Sequence, residues 1–235
     1  MNPNNLRQDA SFPQELWAYI EVQKNTRTKY EYDETIGGLV LDRVLHSAVF
    51  YPHNYGFIPE TLCGDGDPLD VLVMTSDPLL PGTFCKVRPI CHLVMEDEKG
   101  RDEKLLAVAI NDPCHNNIFK KGDISPHILE EISVFFQTYK MSEKTKWVKV
   151  YEWSNEEETI TLVRETHNAF SRKNQKTNQK MVVIQEGHNH QHKITIQIKM
   201  TVVDRLTLIK TNVQVVQYQV KTIIQTKMTV AENLL

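Results

Sequence analysis

Residues 17–44 alternate apolar and polar side chains with a period of two. The stretch 17–22 does so loosely, Thr28–Asp33 sets Tyr30 and Tyr32 against Lys29 and Glu31, and 39–44 follows the Gly37-Gly38 turn. This pattern predicts three strands, with Lys29 and Glu31 sharing one face and the tyrosines the other. Residues 50–59 are aromatic, carry two prolines and a glycine, and read as an ordered loop in which Tyr51 and Tyr55 are packing residues or phenol donors to an anion. The apolar run 71–74 reads as a buried strand, and 83–93 with 104–110 as a hairpin joined by the polar turn 96–103.

Helical spacing takes over after residue 125. Ser125-Pro126 is a helix start, with serine as N-cap and proline at the first helical position. Ile128, Ile132, Phe135, Phe136 and Tyr139 then recur on one stripe, and Lys140 follows at the end. A strand at 146–151 precedes a second helix capped by Asn155, with acids in its first turn and a stripe of Ile160, Val163, His167 and Phe170. Residues 159–163 also fit a strand. Many short strands, few helices and regularly spaced turns predict a mainly β (α+β) domain, a small closed antiparallel barrel with helices packed outside.

Composition and charge divide the chain. Of its 235 residues, 40% are hydrophobic and 24% charged, an ordinary globular balance. Residues 1–170 hold 17 Lys and Arg against 27 Asp and Glu, whereas 171–235 hold 10 against 3. The acidic body argues against nucleic acid as a partner. No run of eighteen apolar residues exists to span a membrane. The polar leader, 1–14, lacks the apolar core of a secretory signal. Cys63, Cys85, Cys91 and Cys114 form no CxxC pair, which points to a reduced, cytoplasmic protein. Residues 174–235 carry 14 Asn and Gln and no Pro, and are left without a function. They fit extra strands, a disordered tail or the translation of an unusual reading frame. His188, His190 and His192 would line one face of a strand there, but no cluster of acidic or thiol ligands surrounds them, which favours a solvated tract.

The chemistry concentrates in Gly64-Asp65-Gly66-Asp67-Pro68-Leu69-Asp70, immediately before the buried strand. Three carboxylates drawn toward a core repel one another and need cations, and hard divalent ions with oxygen ligands fit them. A solvated acidic turn explains the heptad equally well on its own. A calcium loop starting at Asp65 would need glycine sixth and glutamate twelfth, where this chain has Asp70 and Ser76. Two-metal phosphoryl chemistry needs clustered aspartates for ions about 3.5–4 Å apart, with separate Lys, Arg and Tyr for phosphate oxygens. The chain supplies both sets on different elements.

At this point a resemblance becomes specific. Residues from about 15 to 170 resemble the soluble inorganic pyrophosphatases of the first family. The likeness rests on Asp65-Gly66-Asp67-Pro68-Leu69-Asp70-Val71, Lys29-x-Glu31, Asp42-Arg43, Tyr51-Pro52-x-Asn54-Tyr55-Gly56, Asp97 with Asp102-x-Lys104, and Tyr139-Lys140. It implies a five-stranded, distorted OB-like β-barrel with two flanking helices over 15–173, and magnesium-dependent hydrolysis of pyrophosphate to two phosphates.

Carried over residue by residue, Asp65, Asp70 and Asp102 would hold a first ion, with Asp70 shared with a second. Asp97 and Asp102 would hold an ion arriving with substrate, and Glu21 and Glu31 would serve an outer position. Asp67 would be the general base. Lys29 and Tyr55 would bind the attacked phosphate, Arg43, Tyr139 and Lys140 the departing one, and Lys104 would neutralise charge. Bacterial hexamers of the family use histidines on the first long helix, and Ser133-Val134-Phe135-Phe136-Gln137-Thr138 has none. The homo-oligomer stays open between a hexamer held otherwise and a dimer, with a monomer as the third case. The alternative is a catalytically inactive scaffold subunit of the same fold, whose drift would erode Asp67, Arg43 or Lys140 first; all three are present.

Overall fold

The computed structural model describes residues 2, 3 and 6–186, the last eleven of these as helix backbone alone. Eight strands and two helices follow in order: β1 Leu16–Val22, β2 Thr28–Asp33, β3 Gly38–Val44, β4 Asn54–Ile58, β5 Leu69–Met74, β6 Phe84–Asp97, β7 Gly100–Ala109, α1 Pro126–Thr138, β8 Val148–Trp153 and α2 Glu156–Glu186. His188, His190, His192 and the rest of 187–235 lie outside the described residues.

The main sheet runs β1-β4-β5-β7-β6, and a further pairing of β1 with β6 closes it into a five-stranded barrel, with β8 added along β6. Closure leaves these strands without free edges. The expected all-antiparallel barrel is corrected at one seam. β5 and β7 are parallel, with Asp70 opposite Lys104 and Leu72 opposite Leu106. The expected long polar turn is also shorter, because β6 and β7 continue through it to a two-residue turn at Glu98-Lys99. Asp97 and Asp102 therefore stand on strands.

The central strands are buried on both faces, which is why β5 and β7 read as continuous apolar runs. Leu72, Met74, Leu106 and Val108 pack on the face covered by Ile132, Phe135 and Phe136 of α1. Val71, Val73, Leu105 and Ala107 pack on the other, with Val163 of α2 and Phe12 of the leader. Each large apolar side chain buried in this way contributes about 1.5–3 kcal/mol. Glycine is required at Gly56, where β4 crosses β1 so closely that a Cβ would lie 1.8 Å from the Tyr19 carbonyl oxygen.

Both helices start where the capping residues place them, by different means. The Ser125 hydroxyl makes no capping bond, and its backbone carbonyl instead accepts from Ile128 N–H at 3.0 Å. Asn155 and Glu158 form a reciprocal capping box, each side chain accepting the other's N–H at 2.9 Å. Residues 159–163 are thereby helical. The buried face of α2 is Thr159, Val163 and Thr166, flanked by the half-buried Ile160, His167 and Phe170. The helix passes through residue 173 without a break. No helix among the described residues is long and apolar enough to cross a membrane.

β2 and β3 form a separate two-stranded sheet. In β3 the register slips by one at Asp42, and in β1 it slips at Glu21. Such bulges re-aim side chains, and these two turn acidic residues toward the region described next.

Candidate active site

The side chains that cover α1's face of the barrel continue into a polar end. Along β5 the same face reads Met74, Leu72, Asp70; along β7 it reads Val108, Leu106, Lys104, Asp102. Period-two geometry thus carries a hydrophobic stripe straight into charged groups. Parallel pairing sets Asp70 beside Lys104. The Lys104 ammonium, buried at 4% exposure, contacts Asp70 Oδ2 and lies 2.6 Å from Asp102 Oδ2. Burial opposes that ammonium charge, but Asp70 and Asp102 outweigh it and hold the amine above its ordinary pKa. One ammonium serves two carboxylates, and the shortfall falls on Asp102. Burial raises its pKa, Lys104 pulls it back, and the Asp70 charge raises it again.

Glu21, bulged inward on β1, accepts the Tyr32 N–H at 2.7 Å. Burial pushes its carboxyl up to about 8, although that N–H favours the anion, and the Asp70 charge adds to the rise. On the next strand Asp97 accepts Lys140 Nζ at 2.7 Å and Lys99 N–H at 2.8 Å. Burial alone would raise Asp97; these donors outweigh it and keep the carboxyl below its usual range. The Tyr55 and Tyr139 phenols are buried, and desolvation holds both well above the ordinary tyrosine pKa. Both therefore remain protonated donors at neutral pH.

The cations of the separate hairpin complete one side. Lys29 and Arg43 are directly opposite each other in β2 and β3. Lys29 contacts Glu31 and lies 3.4 Å from Asp42 Oδ2, while Arg43 Nη1 lies 3.1 Å from the same oxygen. Asp65 and Asp67 occupy the exposed loop before β5. Gly66 turns that loop with a φ of +93°, Asp65 Oδ1 accepts the Asp67 N–H at 3.1 Å, and Lys99 Nζ lies 3.3 Å from Asp67 Oδ2.

Asp70, Asp102 and Lys104 thus meet directly, as do Lys140 with Asp97 and Lys29 with Glu31. Asp65, Asp67 and Glu31 stand further out, toward solvent. Among the described residues no three His, Cys, Asp or Glu side chains converge to hold a metal ion. The donors nevertheless suit a hard divalent cation. They are all carboxylate oxygens, and the raised Glu21 and Asp102 show that added positive charge would be stabilised there. Three residues escape a reading of the sequence, Glu98, Lys99 and Glu143, and a fourth, Asp42, is legible there only as half of the Asp42-Arg43 motif and without a role of its own. Asp42 is re-aimed by a bulge, and Glu98 and Lys99 by a tight turn. Glu143 reads as one more surface acid, yet its carboxylate is 3.5 Å from Arg43 Nε.

Residues 18–171 match the family described as inorganic pyrophosphatase. An inorganic pyrophosphatase from Nanoarchaeum equitans is 46% identical over 160 residues, which cover 67% of this chain and 99% of the relative. One from Thermus thermophilus is 47% identical over 154 residues, covering 65% and 88%. A crystal structure of the Thermus thermophilus inorganic pyrophosphatase superposes with a TM-score of 0.71 at 42% identity, over 73% of this chain and 99% of that one. With a family match over residues 18–171 and relatives 46% and 47% identical over 99% and 88% of their own lengths, the chain belongs to the inorganic pyrophosphatase family.

Proposed function

We propose that this chain hydrolyses inorganic pyrophosphate to two orthophosphates, with magnesium as its metal and Asp67 as general base. The observation that carries the reading is the pairing of a carboxylate cluster (Asp70, Asp102, Asp97, Glu21) with four cations set among and beside it, Lys104, Lys140, Lys29 and Arg43. A carboxylate cluster alone would suit a cation, and a cation cluster alone would suit an anion. Together they suit a metal–polyphosphate complex.

Asp65, Asp70 and Asp102 would hold a first ion, Asp70 would be shared with a second, Asp97 and Asp102 would take one entering with substrate, and Glu21 and Glu31 an outer one. Magnesium held there supplies charge that lowers the pKa of water and neutralises phosphate oxygens. The residues do the rest. Asp67 takes the proton of the water attacking phosphorus, the new P–O bond forms, and the bridging P–O bond breaks with its electrons leaving on the departing phosphate. Arg43, Tyr139 and Lys140 receive that oxyanion, while Lys29 and Tyr55 hold the attacked phosphate and Lys104 offsets the surrounding carboxylates. Preorganised cations and phenols of this kind stabilise charge where it develops, at little reorganisation cost. Lys140 and Lys29 are already held by carboxylates, so phosphate oxygens would replace existing partners instead of ordering free side chains.

Nothing in the site favours the inactive scaffold. The acidic body argues against nucleic acid, and four free thiols fit a reducing, cytoplasmic setting. The catalytic unit spans 15–173. Phosphate release from pyrophosphate by the purified protein, with and without magnesium at slightly alkaline pH, tests the reading. Magnesium-dependent release is expected, and its absence would overturn the reading.

A further inference from the structure

The turn after α1 carries more than Tyr139 and Lys140. Glu143 N–H donates to the Lys140 carbonyl at 2.9 Å, so Glu143 is fixed to the same turn as that lysine. Its side chain reaches across to the separate β2–β3 sheet, where Oε1 lies 3.5 Å from Arg43 Nε. Its other oxygen is 3.2 Å from Lys146 Nζ. Arg43 Nε and Glu143 Oε1 are both shut off from solvent, and neither makes a hydrogen bond. A buried ion pair without hydrogen bonds contributes little to stability, because desolvation offsets its attraction. Placement is what this pair provides. Arg43 stands on a hairpin that is not part of the barrel, and Lys140 stands at the end of a helix packed on it. Glu143 is the charged link between their two supports.

We propose that Glu143 is a positioning residue for Arg43, setting the guanidinium in register with Lys140 so that both meet the same departing phosphate. The inference rests on the pyrophosphatase reading. Asp42, its neighbour in β3, meets Arg43 through Nη1, and Glu143, from the turn after α1, meets it through Nε. Glu143 itself touches no substrate atom.

The test compares wild type, Glu143→Gln, Arg43→Lys and the double variant, each in magnesium-dependent phosphate release with KM and kcat separated, alongside unfolding midpoints. Glu143→Gln keeps the shape and removes the charge. It is expected to lower kcat/KM roughly ten- to thirty-fold, mostly through kcat, with an unfolding midpoint close to wild type. In the Arg43→Lys background the same change should cost less than two- to three-fold, roughly, because its target is gone. Equal losses in both backgrounds, or an unchanged kcat in an active wild-type background, would overturn the positioning role alone. A wild type that releases no phosphate would overturn the pyrophosphatase reading, and this inference with it.

Discussion

At the inner end of the site Lys104 lies between Asp70 and Asp102 on adjoining strands, almost without solvent. At the outer end Lys99 meets Asp67 across two loops, with side chains 64% and 65% exposed. The residue types are the same and the energetics are not. The inner ammonium is desolvated and owes its charge to its two carboxylates. The outer pair is screened by water, and such contacts are worth about 0–1 kcal/mol. A buried group is held in place, whereas an exposed one is free to turn. The division suits a site whose inner carboxylates keep a fixed geometry while the base proposed at its mouth, Asp67, moves with water and substrate.

The largest expected effect comes from the mouth. Asp67→Asn should lower turnover on the order of 10³-fold, the scale of a lost general base, while the unfolding midpoint stays near wild type. A rate within ten-fold of wild type would remove Asp67 from that role. At the inner end the order reverses. Lys104→Met strands two half-buried carboxylates and should destabilise the magnesium-free fold by about 2 kcal/mol, with part of the loss recovered on adding magnesium. Chemical unfolding at matched pH measures both, and equal stability with and without the lysine would break the comparison.

His53 supplies a third case, half-buried with both ring nitrogens shut off from solvent. Neither ring nitrogen has a hydrogen bond. Burial, with Lys24 and His115 adding to it, lowers the imidazole from 6.5 to about 4. Between those values the unfolded chain binds a proton that the folded one does not, so stability is lost as pH falls through this window. The loss should reach about 3 kcal/mol at the acid end. His53→Phe should flatten that limb of the unfolding profile, and an unchanged slope would sink the assignment. Smallest of all, Lys99→Ala should shift stability by less than about 1 kcal/mol.

What the sequence makes legible follows the same division. Strand alternation, the apolar runs of β5 and β7 and the start of α1 are local patterns, and the fold follows them closely. The aspartate loop and the dipeptides Asp42-Arg43 and Tyr139-Lys140 are legible as family motifs. The parallel β5–β7 seam is not, because it depends on pairing between strands about thirty residues apart in sequence. The bulges that turn Glu21 and Asp42 inward each depend on one extra residue in a ladder, which alternation does not reveal. Glu143 is least legible of all, since its partner is a hundred residues away and its own neighbours are ordinary surface side chains.

One consequence concerns the order in which the molecule comes apart. Lys29, Glu31 and Arg43 all belong to the two-stranded sheet outside the barrel, and an isolated hairpin is marginal by itself. Its amides should therefore exchange with solvent through local openings well below the free energy of global unfolding. In rising denaturant, the grip on phosphate proposed for Lys29 and Arg43 would then fail while the barrel, still closed through β1 and β6, keeps its core.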